Sequence, residues 1–144
     1  MSGDCGMMIN DFRGKYRFLS NFWSVFIEWE GDTYPSTENA FQAMKCKNQE
    51  DRKLFFTCKA SEAKQIGRIV PIREDWDEIR VDVMYQIVKQ KFSFEPLRSM
   101  LLETSGMHLE EGNWWGDTFW GTVNGKGENH LGKILMRVRE ELSE

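Results

Sequence analysis

The patterning of this chain predicts an α+β fold, predominantly helical, with one small β-sheet or hairpin. Three observations point there. Residues 76 to about 90 and 131 to 142 carry apolar side chains at helical spacing. Residues 34–45, Tyr34-Pro35-Ser36-Thr37-Glu38-Asn39-Ala40-Phe41-Gln42-Ala43-Met44-Lys45, read as a capped helix start. Residues 25–34 hold two short runs around Gly31-Asp32, the pattern of a small hairpin.

Taken in order, residues 1–9 lack periodicity and contain Gly3 and Gly6, so a disordered end without function is expected, followed by a single domain over 10–144. In Phe18-Leu19-Ser20-Asn21-Phe22, the Ser20-Asn21 pair makes either a local turn or a face toward a ligand. Pro35 cannot continue a strand ladder, and Ser36 or Thr37 can cap the helix that follows, whose Ala40, Phe41, Ala43 and Met44 put one face in a core. Glu38 then sits in the first turn, where the dipole favours the carboxylate; it is either a complement to that dipole on a solvated surface or a functional acid. Residues 51–58 and 61–69 read as short helices, the second opened by Ser61 and disturbed by Gly67.

Asp75 and Glu78 resemble a capping box for the 76–90 helix. Ile79, Val83, Ile87 and Val88 are its core stripe, with Trp76, Arg80 and Met84 on the adjacent stripe as a pocket wall. Ser93 can cap a further helix with Pro96 in its first turn, Phe94, Leu97 and Leu101 inward and Gly106 as a stop. Residues 109–111 suit a short strand, 112–127 a long ordered loop, and Leu131, Ile134, Leu135, Val138 and Leu142 the apolar face of a closing helix.

A chain of 144 residues can bury a core without staples. Aromatic residues make up 13%, six of them Trp, a share high enough to need explaining, since rings line pockets as well as cores. The formal charge of -4 argues against bulk capture of nucleic acid and favours a small phosphorylated ligand. Cys5, Cys46 and Cys58 form no framework, as expected of reduced thiols in the cytoplasm, and His108 and His130 offer no zinc spacing. No apolar run approaches the ~20 residues of a membrane span, and the start lacks a signal-peptide core. A soluble, cytoplasmic protein with no metal, no cofactor and no membrane partner is expected.

Residues 127–133 match most of a phosphate loop, but Ile134 replaces the Ser or Thr that would bind magnesium, and no apolar strand precedes it. A P-loop ATPase is excluded. Gly125, Gly127 and Asn129 remain either an anion-holding turn at a helix N-terminus or a structural turn. In Asn113-Trp114-Trp115-Gly116-Asp117-Thr118-Phe119-Trp120-Gly121 one carboxylate lies among four rings; Asp117 is either a proton carrier or a cap for its neighbours. Glu38, Trp76, Arg80 and Asp117 together supply two carboxylates, a stacking ring and a fixed cation, the parts needed to cut a ribose from a base. Two carboxyls in one cleft around a ribose, held in different states, would divide that labour.

These residues carry a resemblance. The chain resembles the NADAR, or YbiA-like, family through Phe18-Leu19-Ser20-Asn21-Phe22, Tyr34-Pro35-Ser36-Thr37-Glu38, Phe41-Gln42-Ala43, Lys45, Gly67-Arg68, Asp75-Trp76, Arg80 and Met84. It continues through Lys91-Phe92, Asp117-Thr118-Phe119-Trp120-Gly121, Gly127, Asn129, Leu131-Gly132 and Met136-Arg137, from about residue 12 to 142. The resemblance implies an N-glycosidase acting on a phosphorylated N-riboside: an early riboflavin-pathway intermediate, releasing ribose 5-phosphate, or an ADP-ribosyl substrate, ADP-ribosylated nucleic acid included. It implies catalytic roles for Glu38, Trp76 and Asp117. Lys45, Arg68 and Arg80 are expected to hold phosphate, with Asn21, Trp120 and Asn129 also against substrate. Many members carry His where Asn39 stands, which leaves the substrate open, as is the oligomeric state. Two rival readings are a non-catalytic ADP-ribose or nucleotide-binding module using the same residues, and an interaction domain docking through its Trp-rich loop.

Overall fold

The computed structural model describes residues 7–144. In order these form β1 (Met8–Ile9), a 3₁₀ turn (Gly14–Leu19), β2 (Ser24–Trp29), β3 (Asp32–Ser36), α1 (Thr37–Lys45), a 3₁₀ stretch (Gln49–Phe55), α2 (Ala60–Ile66), α3 (Trp76–Lys91), α4 (Leu97–Leu102), β4 (His108–Leu109) and α5 (His130–Leu142). The expected helix-rich α+β class is what is found. Of the expected disordered end, residues 1–6 lie outside the described residues. Met8 and Ile9 correct the rest of that expectation: β1 pairs in parallel with β4, because Ile9 and its partner Leu109 are apolar and both buried. The chain divides into two compact units, Asn21–Lys91 and a second made of Phe92–Glu144 with the segment up to Ser20.

In the unit Asn21–Lys91, β2 and β3 form an antiparallel hairpin whose two-residue loop, Glu30-Gly31, has positive φ at both positions, 51° and 88°. Such a loop matches the twist of its strands, and Gly meets the requirement without strain. Contrary to expectation Pro35 lies inside β3. It is tolerated because the register slips between Ile27↔Tyr34 and Ser24↔Ser36, where the missing N–H breaks no regular ladder bond. Gln90 of α3 finishes the edge of β2, donating to the Glu28 carbonyl and accepting from the Glu28 N–H, each at 2.7 Å.

Ser36 caps α1, its Oγ accepting from the Asn39 N–H at 3.1 Å. The helix was expected to bury one face, but every residue from Thr37 to Met44 is buried, since β2, β3, the second 3₁₀ stretch, α2 and α3 surround it. Polar side chains therefore enter the interior and need partners there. Asn39 finds them: its Nδ2 donates to the carbonyls of Phe55 and Cys58 at 3.0 and 2.8 Å, and its Oδ1 accepts from Ser36 Oγ at 2.6 Å. One amide thus pins the 3₁₀ stretch to α1. That stretch replaces the helix expected over 51–58, and α2 opens at Ala60, with Glu62 reaching back to the Lys59 N–H at 3.1 Å.

Along α3 the core stripe is Trp76, Met84, Tyr85, Ile87, Val88 and Lys91, while Ile79 and Val83 are only half-buried. The stripe expected to edge a pocket is the one that faces inward. Asp75 does not form the expected box: its carboxylate takes a forked bond from Arg73, at 2.6 and 3.2 Å, which competes better than neutral backbone N–H donors.

In the second unit Phe92 is fully buried and its ring meets Phe18 edge-on at 6.4 Å. The helix expected from Ser93 starts at Leu97 instead, because Pro96 disfavours helical backbone in the residue before it. Phe94, expected inward, is 69% exposed as a result, whereas Leu97 and Leu101 are buried. α5 buries Leu131, Ile134, Leu135 and Val138 as its spacing predicts. Among the described residues no helix is long and apolar enough to cross a membrane.

Candidate active site

Six of the expected site residues belong to the unit Asn21–Lys91, Glu38 among them. The Glu38 backbone N–H donates to the Asn21 carbonyl at 3.0 Å, fastening Asn21 to the first turn of α1. The residue is 8% exposed, and its carboxylate accepts from Gln42 Nε2 at 2.8 Å, one helical turn on. Of the two alternatives for Glu38, the solvated surface complement is ruled out by this burial.

Lys45 continues the same face of α1 and donates to the Gly67 carbonyl at 3.0 Å. Burial pushes its ammonium below the usual lysine value; attraction to Glu38 opposes that, while Arg68 and Arg80 add repulsion. A carboxylate and three cations therefore share one field. Arg68 is exposed in the turn after α2, and Arg80 is half-buried on α3, 3.9 Å from Asp77. Trp76 is 5% exposed and lies against Phe41.

Asn21 is 7% exposed, and its Nδ2 meets the Met84 sulfur at 3.6 Å. Among the described residues, buried polar atoms with no hydrogen-bond partner include Asn21 Oδ1, Thr37 Oγ1 and Gln42 Oε1, the last two on α1. Unsatisfied polar groups carry a cost that folds tolerate mainly where strain or chemistry is needed.

Asp117, Trp120 and Asn129 belong to the other unit. Asp117 Oδ1 accepts from the N–H groups of Phe119 and Trp120 at 3.0 and 2.9 Å, so this carboxylate does cap its own turn. Asn113 braces the same loop, accepting from the Asp117 N–H at 2.9 Å and donating to the Asp117 carbonyl at 2.8 Å. Trp120 and Phe119 are half-buried and pack edge-on at 4.9 Å, with His130 of α5 against the Phe119 ring at 4.5 Å; Trp114 and Trp115 stay exposed.

The N–H groups of residues 128–131, leading into α5, are not free for an anion. Those of Glu128, Asn129, His130 and Leu131 donate to the carbonyls of Thr118, Gly121, Phe119 and Trp120, because the loop doubles back over the helix start. Asn129, at φ 53°, accepts from the Glu111 N–H and donates to the Leu109 carbonyl, both at 3.0 Å. Of the two alternatives for this turn, the structural one matches the geometry. Gly132 leaves room for that amide, which a Cβ would overlap.

Gln42 received no role from the sequence. Its signal was present: four residues after Glu38, it shares a helix face with the carboxylate. Among the described residues no group of three or more His, Cys, Asp and Glu side chains is arranged to hold a metal ion.

Comparison with known proteins places the fold in a family. The NADAR domain model matches residues 9–143. A riboflavin biosynthesis protein of Vibrio vulnificus is 40% identical over 135 residues, covering 90% of this chain but 36% of that protein, so the chain spans about a third of that relative. An N-glycosidase YbiA of Shigella boydii is 35% identical over 133 residues, covering 89% of this chain and 82% of that protein. The NMR structure of the Escherichia coli protein YbiA superposes with a TM-score of 0.84 at 33% identity, covering 95% of this chain and 85% of that one. On a model match across nearly its whole length and a solved relative of the same fold, the chain belongs to the NADAR domain family.

Proposed function

We propose that this protein is an N-glycosidase that hydrolyses the bond between ribose and a base in a phosphorylated N-riboside. The observation that carries the reading is Glu38: a buried acid at a helix start, its carboxylate held by Gln42 and interacting with Lys45, which in turn feels Arg68 and Arg80. Relatives named N-glycosidase and riboflavin biosynthesis protein support it.

Breaking a ribosyl C–N bond builds positive charge at the anomeric carbon. A fixed carboxylate stabilises that charge and takes a proton from the attacking water. Glu38 has the burial and the anchoring for this part. Cations close by suit the phosphate oxygens of the substrate, which assigns binding to Lys45, Arg68 and Arg80. Asp117 is the second carboxylate of the proposal, positioning ribose or assisting the departing base.

The test is product analysis with pure protein and a panel of early riboflavin-pathway N-ribosides, NAD, ADP-ribose and ADP-ribosylated DNA. Wild type should release free base and sugar phosphate from at least one. Glu38→Gln, which keeps shape and loses charge, should melt normally and lose on the order of a hundredfold or more in single-turnover release. Binding without release by wild type would make the protein a reader, and near-normal release by folded Glu38→Gln would remove Glu38 from the chemistry.

A further inference from the structure

The polar side chains of α1 at positions 38, 42 and 45 follow the i, i+4, i+7 spacing of one helix face. Two of them converge on one residue of another helix: Lys45 Nζ donates to the Gly67 carbonyl at 3.0 Å, and the Gln42 carboxamide lies directly over the Gly67 Cα. A Cβ at Gly67 would overlap Gln42 Oε1 and come within 2.6 Å of its Cδ.

Gly67 caps the C-terminus of α2 at φ -60°, ψ -18°, a conformation open to any residue. No backbone requirement calls for glycine here. What glycine supplies is the space that the Gln42 carboxamide fills.

That space decides where the Gln42 donor points. Gln42 and Glu38 are each 8% exposed, so their 2.8 Å bond is shielded from water and holds one carboxylate oxygen in a single direction. Gln42 Oε1 accepts no hydrogen bond, so this side chain is kept in place by the Glu38 bond and by its fit against Gly67. The charged groups that act on Lys45, on the same face of α1, include Glu38, Arg68 after α2 and Arg80 on α3.

We infer that Gln42, set by the open space at Gly67, is a positioning residue that orients the Glu38 carboxylate for ribosyl bond cleavage. The inference rests on the glycosidase reading. Gln42 does not touch the reacting atoms; it acts through Glu38, by fixing its rotamer and favouring its anion with a donated N–H.

The experiment compares wild type, Gln42→Met, Gly67→Ala, Glu38→Gln and the double variant Glu38→Gln/Gln42→Met, with whichever riboflavin-pathway N-riboside wild type cleaves. Gln42→Met keeps length and loses the donor; Gly67→Ala keeps the donor and displaces it. Both single variants should lose about ten- to a hundredfold in kcat with KM within about threefold, since the loss falls on the transition state. In Gln42→Met the acid limb of the kcat/KM profile should also move to higher pH, because the carboxylate has lost a hydrogen bond to its charged form. The Gln42→Met loss should vanish in the Glu38→Gln background. A purely structural Gln42 would lower the melting temperature and leave the pH limb where it is. Unchanged kcat and limb in folded Gln42→Met, or a full additional loss in the double variant, would overturn the inference with glycosidase activity intact. A wild type that cleaves nothing in the panel would overturn the glycosidase reading itself, and the inference with it.

Discussion

The indole of Trp76 lies against the ring of Phe41, centroids 4.9 Å apart and planes tilted by 49°. This ring joins α3 to α1, the helix that carries Glu38, so Trp76 serves packing whatever else it does. Trp76→Ala should cost about 3–5 kcal/mol through lost burial and the cavity left behind. Trp76→Phe keeps most of the contact and should melt close to wild type. If Trp76 also lines the base pocket, folded Trp76→Phe will turn over at least several-fold more slowly. Thermal melts beside single-turnover release separate the two roles, and wild-type turnover in folded Trp76→Phe would leave Trp76 a core residue alone.

Asp117 has a structural task that its charge does not require, since an Asn oxygen can also accept from the N–H groups of Phe119 and Trp120. Asp117→Ala should therefore lose stability by about 1 kcal/mol, as for other lost caps, while Asp117→Asn should hold its melting temperature. Turnover is expected to fall on the order of a hundredfold in both. Normal turnover in Asp117→Asn would reduce this carboxylate to a loop brace.

Lys91 is the buried lysine at the end of α3, and burial pushes its ammonium down to about 7. The unfolded chain holds that proton up to the ordinary lysine value of 10.5, so between about pH 7 and 10.5 the unfolded state binds more protons than the folded one. Stability should rise with pH across that window by at most about 1.4 kcal/mol per unit. Burial raises Cys46 to about 11 and Tyr34 to about 12, which draws stability the other way from about pH 9 upward. The clean interval is therefore pH 7 to 9. Denaturant melts of wild type and Lys91→Met over that interval should show a slope in the first and a flatter line in the second; equal slopes would mean that Lys91 does not titrate as its burial dictates.

How much of this was legible beforehand depends on how far apart the interacting residues lie. The Ser36 cap, the hairpin and the apolar stripe of α5 were readable because each is set by residues within a few positions of one another. The Asp117 cap was open to reading for the same reason, though the sequence left it level with a chemical role.

Local reading fell short where two neighbouring signals competed, and again where longer contacts decide. Phe94 turned outward because Pro96 delays the helix, and Asp75 preferred a guanidinium two residues away to its own helix N–H groups. The N–H groups at the start of α5 went to loop carbonyls that only the folded chain brings back.

The residue types of the site, Glu38, Lys45, Arg68, Trp76 and Arg80, and the helical spacing that aligns Glu38 with Gln42, were determined by the sequence alone. Tertiary structure decided that α1 is buried on all sides, and hence that its polar face is interior. It also decided that Gly67, 25 positions after Gln42, would give that carboxamide its space. The physical reason is that the burial of a side chain and the room left beside it are properties of the whole packed chain, whereas helical spacing belongs to a few consecutive residues.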